Sequence, residues 1–220
     1  MPVDGGDVAG RIVDLQGAFN VNNLVRDGKV VPAELLRFRR LLAVLALPPH
    51  LADALADWLD ADGDVRPGGG AEDGYYAALD PPYLAANRAL MDVSDLALVR
   101  GFDDNVRARL GLFITALPRP TPVNVNTAPA EVLFAVLSDV DLETARALVA
   151  QRERTYFASV GDFARRLPGL SVSPDAGLAV ASDHFLVAVR ARIGESSVAG
   201  TALLVRDGPG WPGVAWRRIP

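Results

Sequence analysis

The hydrophobic pattern of this chain changes its period twice, and that change limits the folds available to it. Between residues 32 and 182 apolar residues recur every three or four positions, which is typical of amphipathic helices. The later segment HFLVAVRARIG alternates instead, and residues 1–31 also contain short alternating stretches, so both predict strands. Because consecutive strands are usually neighbours in a sheet, the order predicts a small antiparallel sheet with a large helical domain inserted into it.

Prolines and capping residues divide the helical part into segments. A first helix is expected in AELLRFRRLLAVLAL, which starts after Pro32 and stops at Pro48, and a second in HLADALADWLD. The predicted domains are 1–31 and 183–220 for the sheet and 32–182 for the helices. A turn is expected at Asn20, Asn22 and Asn23. Further helices are predicted for PPYLAANRALMD, SDLALVRGF, DDNVRARLGLFITAL, NTAPAEVLFAVL, DLETARALVAQRER and SVGDFARRL, the last capped by Ser159.

The composition excludes several kinds of chemistry. The chain of 220 residues has no cysteine, so disulfides, thiolate catalysis and cysteine-ligated zinc are excluded. Its two histidines, His50 and His184, are far apart in sequence, which argues against a histidine-based triad. The net charge of −5 disfavours a nucleic-acid partner. No apolar run reaches the roughly 18 residues of a membrane helix, and the first residues lack the pattern of an export signal.

An acidic, glycine-rich segment, WLDADGDVRPGGGAED, follows the second predicted helix. Asp60, Asp62 and Asp64 occupy positions one, three and five of an EF-hand-like loop. The match then ends, because Val65 and Ala71 replace the glycine and the glutamate that an EF-hand requires. The residues alone therefore leave two main interpretations, a solvated acidic surface loop and a carboxylate site for a hard cation such as calcium.

The neighbours of this loop favour the cation site. Apolar and aromatic residues on both sides predict that the ends of the loop are anchored in a core, and the one basic residue within the loop is Arg66. A calcium-dependent hydrolase with paired catalytic carboxylates is a third hypothesis, but no residue is marked as the acid or the base. The anchoring residues are Trp58, Leu59, Tyr75, Tyr76 and Tyr83.

Three stretches occur in an order that resembles one protein family. They are DLQGAFNVNNLV, then WLDADGDVRPGGGAEDGYYAALDPPYLAANRALMDVSDLALVRGFD, then PVNVNTAPAEVLFAVL. In this order the chain is similar to the type II secretion minor pseudopilin K family, also called general secretion pathway protein K. The resemblance extends from about residue 10 to the end of the chain.

The resemblance implies an α+β fold, a pilin-like antiparallel β-sheet with an inserted α-helical domain that contains SAM-like or helix-hairpin-helix-like subdomains. It implies a non-enzymatic protein that caps the tip of the type II secretion pseudopilus with minor pseudopilins I and J, above pseudopilin H. Secreted substrate is a further candidate partner. The family's N-terminal membrane helix is missing from this sequence, so we expect the periplasmic part of an inner-membrane-anchored protein of a Gram-negative bacterium, with no other membrane contact.

The resemblance also implies a calcium ion (Ca²⁺) in the helical domain, at the acidic loop. Bound calcium would explain why so many carboxylates gather in one loop. Two acidic residues that follow the AN element could complete its shell. The candidate ligands are Asp60, Asp62, Asp64, Glu72, Asp73, Asp92 and Asp95.

A second resemblance supplies the alternative function. Residues 123–163 resemble a helix-hairpin-helix unit of the competence type, which binds DNA phosphates through the backbone N–H groups of a glycine-rich hairpin. Here the hairpin SDVDLET has no glycine and carries Asp139, Asp141 and Glu143, which repel phosphate. We therefore expect a structural role for this unit and no nucleic-acid partner, with its arginines on a solvated helix face.

Overall fold

The computed structural model describes residues 2–3, 5–167 and 177–219. The chain forms two compact units, one from residues 1–16 with 181–220 and the other from residues 17–180. The second unit is inserted between strands of the first, as the period of the sequence predicts. The first boundary lies at residue 16 and not at residue 31, because Phe19, Val21 and Leu24 belong to the core of the helical unit.

The secondary structure follows the expected order of strands, helices and strands. The strands are β1 (Pro2–Val3), β2 (Gly6–Asp14), β3 (Phe19–Asn20), β4 (Val25–Arg26), β5 (Lys29–Val30), β6 (Ile114–Thr115), β7 (Val123–Asn124), β8 (Leu178–Ala179), β9 (His184–Ile193), β10 (Ser196–Val205) and β11 (Gly213–Arg218). The α-helices are α1 (Pro32–Val44), α2 (His50–Leu59), α3 (Asp73–Tyr76), α4 (Asp104–Leu110), α5 (Ala130–Val136), α6 (Leu142–Arg154) and α7 (Val160–Arg165). Val21–Leu24 and Val93–Leu98 form 3-10 helices.

The sheet unit is a five-stranded antiparallel sheet with the strand order β1-β2-β9-β10-β11. Val189 of β9 lies opposite Gly10 of β2 and Gly200 of β10, which fixes the register. Directly opposite residues share a face, so the alternation in β9 gives the sheet one aliphatic face and one face that carries arginines. The three strands expected after residue 183 are confirmed.

Helix α2 is the most deeply buried helix that the structure describes in the helical unit. Nine of its ten residues are buried, including Asp53 and Asp57. The sequence HLADALADWL permits this because alanine side chains let neighbouring elements approach closely, while Leu51, Leu55 and Trp58 fill the core. Helix α1 packs against α2 and α5. Within the described residues, none of the helices has the length and apolar composition needed to cross a membrane.

The prediction of a helix in PPYLAANRALMD is wrong, because residues 81–92 form no helix. Backbone groups there bond to distant parts of the chain: the Asn87 N–H donates to Trp58 O at 3.0 Å, and the Leu90 N–H donates to the Asn22 side chain at 2.9 Å. Asn87 also has a positive φ of 47°, which interrupts a right-handed helix. Likewise SDLALVRGF forms a 3-10 helix, and the helix in DDNVRARLGLFITAL ends at Leu110.

The asparagine cluster forms more than the expected turn. Asn20 Nδ2 donates to Arg119 O at 2.9 Å, and Asn23 Nδ2 donates to Thr121 O at 2.8 Å. Asn22 Nδ2 donates to Leu90 O at 3.0 Å and to Leu117 O at 2.9 Å. These side-chain amides join the start of the helical unit to segments about 70 to 100 residues away in sequence. They also provide hydrogen-bond partners for backbone groups that lie outside helices and strands.

We predict that Asn22→Ala lowers the free energy of unfolding by about 2–4 kcal/mol, because the substitution leaves three buried backbone groups without partners. Urea denaturation measures the change. The matched control is Asn105→Ala on the exposed side of α4, which should change stability by less than about 0.5 kcal/mol. Equal effects of the two substitutions would contradict a special role for Asn22.

Candidate metal centre

Three carboxylates of the acidic segment converge. Asp60, Asp62 and Glu72 each place one oxygen within 4.8 Å of the oxygens of the other two. Asp60 is the C-cap residue of α2, and Glu72 is the N-cap residue of α3, so both positions are set by the helices. We call these three residues the carboxylate trio.

Two members of the trio are buried without hydrogen-bond partners. Asp60 is 2% exposed and Glu72 is 4% exposed. Among the described residues, neither Glu72 carboxylate oxygen nor Asp60 Oδ1 has a hydrogen-bond partner. An unpaired buried carboxylate destabilises a fold by several kcal/mol, so this arrangement requires either protonation or a cation.

A fourth acidic residue, Asp57, borders the trio and was missed by the sequence analysis. It is fully buried in the last turn of α2, and its Oδ2 accepts a hydrogen bond from the Arg66 N–H at 3.1 Å. The signal that could have found it is the spacing of Asp57 and Asp60, which are three residues apart and share one side of the helix. Asp57 ties the loop after α2 back to the helix.

Two glycines let the loop backbone approach these acidic residues. A Cβ atom at Gly70 would overlap Asp57 Oδ2, and one at Gly68 would overlap the Asp53 carboxylate. Asp53 is itself held by Arg39, whose Nη2 lies 2.7 Å and 2.9 Å from the two carboxylate oxygens. The triple glycine of the sequence therefore serves close packing of backbone against carboxylates.

The basic residue nearest the trio does not balance its charge. Arg66 Nη2 lies 3.9 Å from Asp60 Oδ2, and its Nε lies 3.4 Å from Asp57 Oδ1. The Arg66 side chain is 32% exposed, so water screens part of its charge. One guanidinium group faces four carboxylates, those of Asp57 and the trio.

Burial and mutual repulsion raise the pKa values of these acids. Burial raises the pKa of Glu72 to about 7, with further increases from the charges of Asp57 and Asp60. Burial, then the charge of Asp62, raises the pKa of Asp60 to about 6. Burial also raises the pKa of Asp57. Without a cation, the fold thus favours the protonated forms.

The other four candidate ligands lie outside the trio. Asp64 is exposed, and Asp73 Oδ1 accepts a hydrogen bond from the Ala85 N–H at 2.9 Å. Asp92 and Asp95 form a capping box at the 3-10 helix Val93–Leu98. In that box the Asp92 side chain accepts from the Ser94 N–H, and the Asp95 side chain accepts from the Asp92 N–H. The carboxylates of this pair are therefore used to cap a helix.

Aromatic packing anchors the loop at both ends, as the sequence predicts. The Trp58 and Tyr76 rings meet edge to face with centroids 4.9 Å apart, and Tyr76 stacks on Tyr83 at 5.3 Å. Arg100 lies over the Tyr75 ring at 4.7 Å and donates to Gly70 O at 3.0 Å. These contacts fix α3 against α2, and with them the position of Glu72.

The helix-hairpin-helix-like part uses its polar residues internally. Asp141 caps α6 by accepting a hydrogen bond from the Thr144 N–H at 2.7 Å. Arg152, expected on a solvated face, instead donates to the backbone oxygens of Val125 and Ala128. Arg152 therefore stabilises the turn before α5 and is not available to a phosphate group.

We predict that the free energy of unfolding of the metal-free protein falls as the pH rises from about 5 to about 7.5. The pKa values of Glu72 and Asp60 rise from 4.5 and 3.8 to about 7 and about 6 on folding, so the native state binds more protons in this interval. The stabilisation is complete below the unfolded pKa values and is lost as the pH passes the folded ones. Denaturation in a chelating buffer measures it.

The control for this prediction is Glu72→Gln, which keeps the shape of the side chain but cannot ionise. We expect this variant to show a weaker pH dependence and, at pH 7.5 without metal, a higher stability than the parent protein. A loss of stability in the variant at pH 7.5 would show that the ionised Glu72 has a stabilising partner within the protein.

Comparison with known proteins agrees with the family resemblance. Family models described as type II secretion system (T2SS), protein K, match residues 17–119 and 123–187. Type II secretion system protein K of Pseudomonas aeruginosa is 42% identical over 87% of this chain and 59% of its own length. The protein K of Aeromonas hydrophila is 34% identical over 93% of this chain and 68% of its own length.

A solved structure confirms the fold. The chain matches a chain in the crystal structure of the GspK-GspI-GspJ complex from the enterotoxigenic Escherichia coli type 2 secretion system, with a TM-score of 0.85 and 26% sequence identity. The match covers 100% of this chain and 82% of that chain. The predicted α+β fold, a pilin-like antiparallel sheet with an inserted helical domain, is confirmed, and the chain belongs to the type II secretion system protein K family.

Proposed function

We propose that this chain is part of a minor pseudopilin that assembles with minor pseudopilins I and J at the tip of the type II secretion pseudopilus. The observation that carries the proposal is the match, over the whole chain, to a chain of the GspK-GspI-GspJ complex. The role is one of assembly and not of catalysis. Pseudopilin H would lie below this complex, and secreted substrate would meet its exposed surface.

The aliphatic face of the sheet supports a longer, membrane-anchored protein. Ile12, Ile193 and Val198 are 69%, 62% and 56% exposed, and the strand register places them on one face with Val189. A contiguous exposed apolar face of this kind marks an interaction site. We propose that a helix from the remainder of the protein, anchored in the inner membrane, covers this face and leaves both units in the periplasm.

The size of the insertion supports a terminal position in the filament. Residues 17–180 are about three times as numerous as those of the sheet unit into which they are inserted. Subunits within a filament must present a repeating surface to the neighbours on both sides. A subunit with so large an insertion fits best at an end, where one of the two surfaces needs no further subunit.

The chemistry of the trio supports a calcium ion as the structural cofactor. Calcium binds six to eight oxygen ligands, and the trio offers oxygens only. The unpartnered oxygens of Asp60 and Glu72 are the groups that a cation would satisfy. Carbonyl groups of the glycine-rich loop and water would complete the shell. A bound ion would join the end of α2 to the start of α3 and make the helical unit more rigid.

For the assembly role, we expect this chain to co-elute with the soluble domains of pseudopilins I and J in size-exclusion chromatography at about 10 µM. Light scattering should give the mass of one copy of each protein. Bovine serum albumin in place of the partners is the control for nonspecific co-elution. Separate elution of the chain at tens of micromolar would contradict the proposed function.

For the cation, we expect calcium to raise the melting temperature, with a stabilisation of about 2.7 kcal/mol at a hundredfold excess over the dissociation constant. Glu72→Gln together with Asp60→Asn should abolish the response, because both buried ligands lose their charge. Asp64→Asn, in the same loop but outside the trio, is the matched control and should keep it. Sodium chloride at equal ionic strength tests for simple screening, and an equal response to both salts would refute the site.

A further inference from the structure

Two glycines on the aliphatic face of the sheet lie inside long strands. Gly10 of β2 and Gly200 of β10 stand on either side of Val189 of β9 in the strand register. Glycine inside a strand destabilises it, because its backbone loses more conformational freedom on folding and no side chain packs against the neighbouring strands. A glycine is therefore expected there only where the backbone or the packing around it requires one.

The sheet itself does not require glycine at these two positions. Neither residue has a positive φ angle, and the pairing of β2 and β10 with β9 continues past both of them without a bulge. A Cβ atom would lie 3.6 Å from the nearest atom at Gly10 and 3.4 Å at Gly200, which are ordinary contact distances. At Gly6 of β2, in contrast, a Cβ atom would overlap the backbone oxygen of Arg192.

The absence of these two side chains leaves a depression in an apolar surface. Gly10, Val189 and Gly200 all line a groove of about 690 Å³, together with Ile219. We call Gly10, Val189 and Gly200 the glycine notch. The neighbouring rows on the same face are Val8, Ala191 and Val198 on one side and Ile12, Val187 and Ala202 on the other. Because both rows are aliphatic, the notch suits an apolar occupant.

We propose that the glycine notch is the point at which the covering helix approaches the sheet most closely. Glycine in a strand is typical of a site where another part of a chain comes close to the backbone. Gly10 and Gly200 are two strand spacings apart, about 10 Å, which is the width of one helix with its side chains. Large aliphatic side chains of the helix would fill the spaces on the two sides of Val189.

The occupant is the helix from the remainder of the protein that the proposed function places over this face. The inference rests on that proposed function and adds where the helix docks. This chain spans 59% and 68% of the lengths of the relatives from Pseudomonas aeruginosa and Aeromonas hydrophila, so those proteins have residues beyond the matched part. A second copy of the flat sheet would rest on Ile12 and Val198, whereas a convex helix reaches between them to the notch.

The experiment fills the notch with Gly10→Val/Gly200→Val. The matched control is Ala9→Val/Ala199→Val, which changes exposed neighbours on the same two strands but on the opposite face. Both variants are made in this chain and in the full-length protein in detergent. Hydrogen exchange of the β9 amides, at the centre of the sheet, measures the stability of the sheet unit in each form.

We expect the notch variant to change exchange in opposite directions in the two forms. In this chain the β9 amides should exchange about fivefold more slowly, because valine favours strands over glycine. In the full-length protein they should exchange about tenfold faster, because the added side chains overpack against the helix. The control should change exchange in the same direction, and by about the same factor, in both forms.

A change in the same direction in both forms would overturn the proposal. Slower exchange in both would show that nothing occupies the notch, and faster exchange in both would show that the sheet itself requires the glycines.

A photoreactive benzoylphenylalanine in place of Ile12 identifies the occupant in the full-length protein. We expect a crosslink to the helix of the same molecule. A crosslink only to a second copy or to pseudopilin I or J, or the absence of the intramolecular product, would overturn the proposal. Co-elution of the parent with pseudopilins I and J is measured separately, so failure of the notch and failure of the assembly role are distinguished.

Discussion

Buried negative charge between α2 and α3 is the constraint on which the helical unit depends. Asp57, Asp60 and Glu72 are almost fully removed from water, yet one partly exposed arginine is their nearest counter-charge. A fold tolerates such a cluster only if protons or a cation neutralise it. The glycine loop, the backbone bonds to Asp57 and the aromatic wall around Tyr76 all hold this cluster together. The stability of the helical unit therefore depends on the pH and on the concentration of a cation that could bind there.

The sheet unit follows a different principle, because its alternation produces two faces of opposite character. Aliphatic side chains such as Ile12 and Ile193 cover one face, whereas Arg11 and Arg190 stand on the other. A strand pattern with period two places alternate residues on opposite faces, so one sheet presents an apolar surface and a charged surface. The aliphatic face is the one that we propose a helix from the remainder of the protein to cover.

Much of the fold could be predicted from the sequence because the signals were local. Helices α1, α2, α6 and α7 and strands β9 to β11 each carry their own periodicity and stop signals, and Ser159 caps α7 as expected. Predictions failed where backbone groups form hydrogen bonds with residues that are distant in sequence. Residues 81–92 have helix-forming composition, but the Asn87 N–H donates to Trp58 O and the Leu90 N–H donates to the Asn22 side chain. The Asn22 side chain also donates to Leu117 O, a contact that no local sequence pattern identifies.

The sequence alone determined that carboxylates and glycines gather between two apolar helices, and it determined the β–α–β order and the family. Only the tertiary structure decided which carboxylates meet. Asp60, Asp62 and Glu72 converge because the packing of α2 against α3 brings positions twelve residues apart together, while Asp92 and Asp95 cap a 3-10 helix. Residue type and spacing determine which ligand groups a segment can offer. The direction in which each side chain points depends on packing between helices and strands that are not adjacent in sequence.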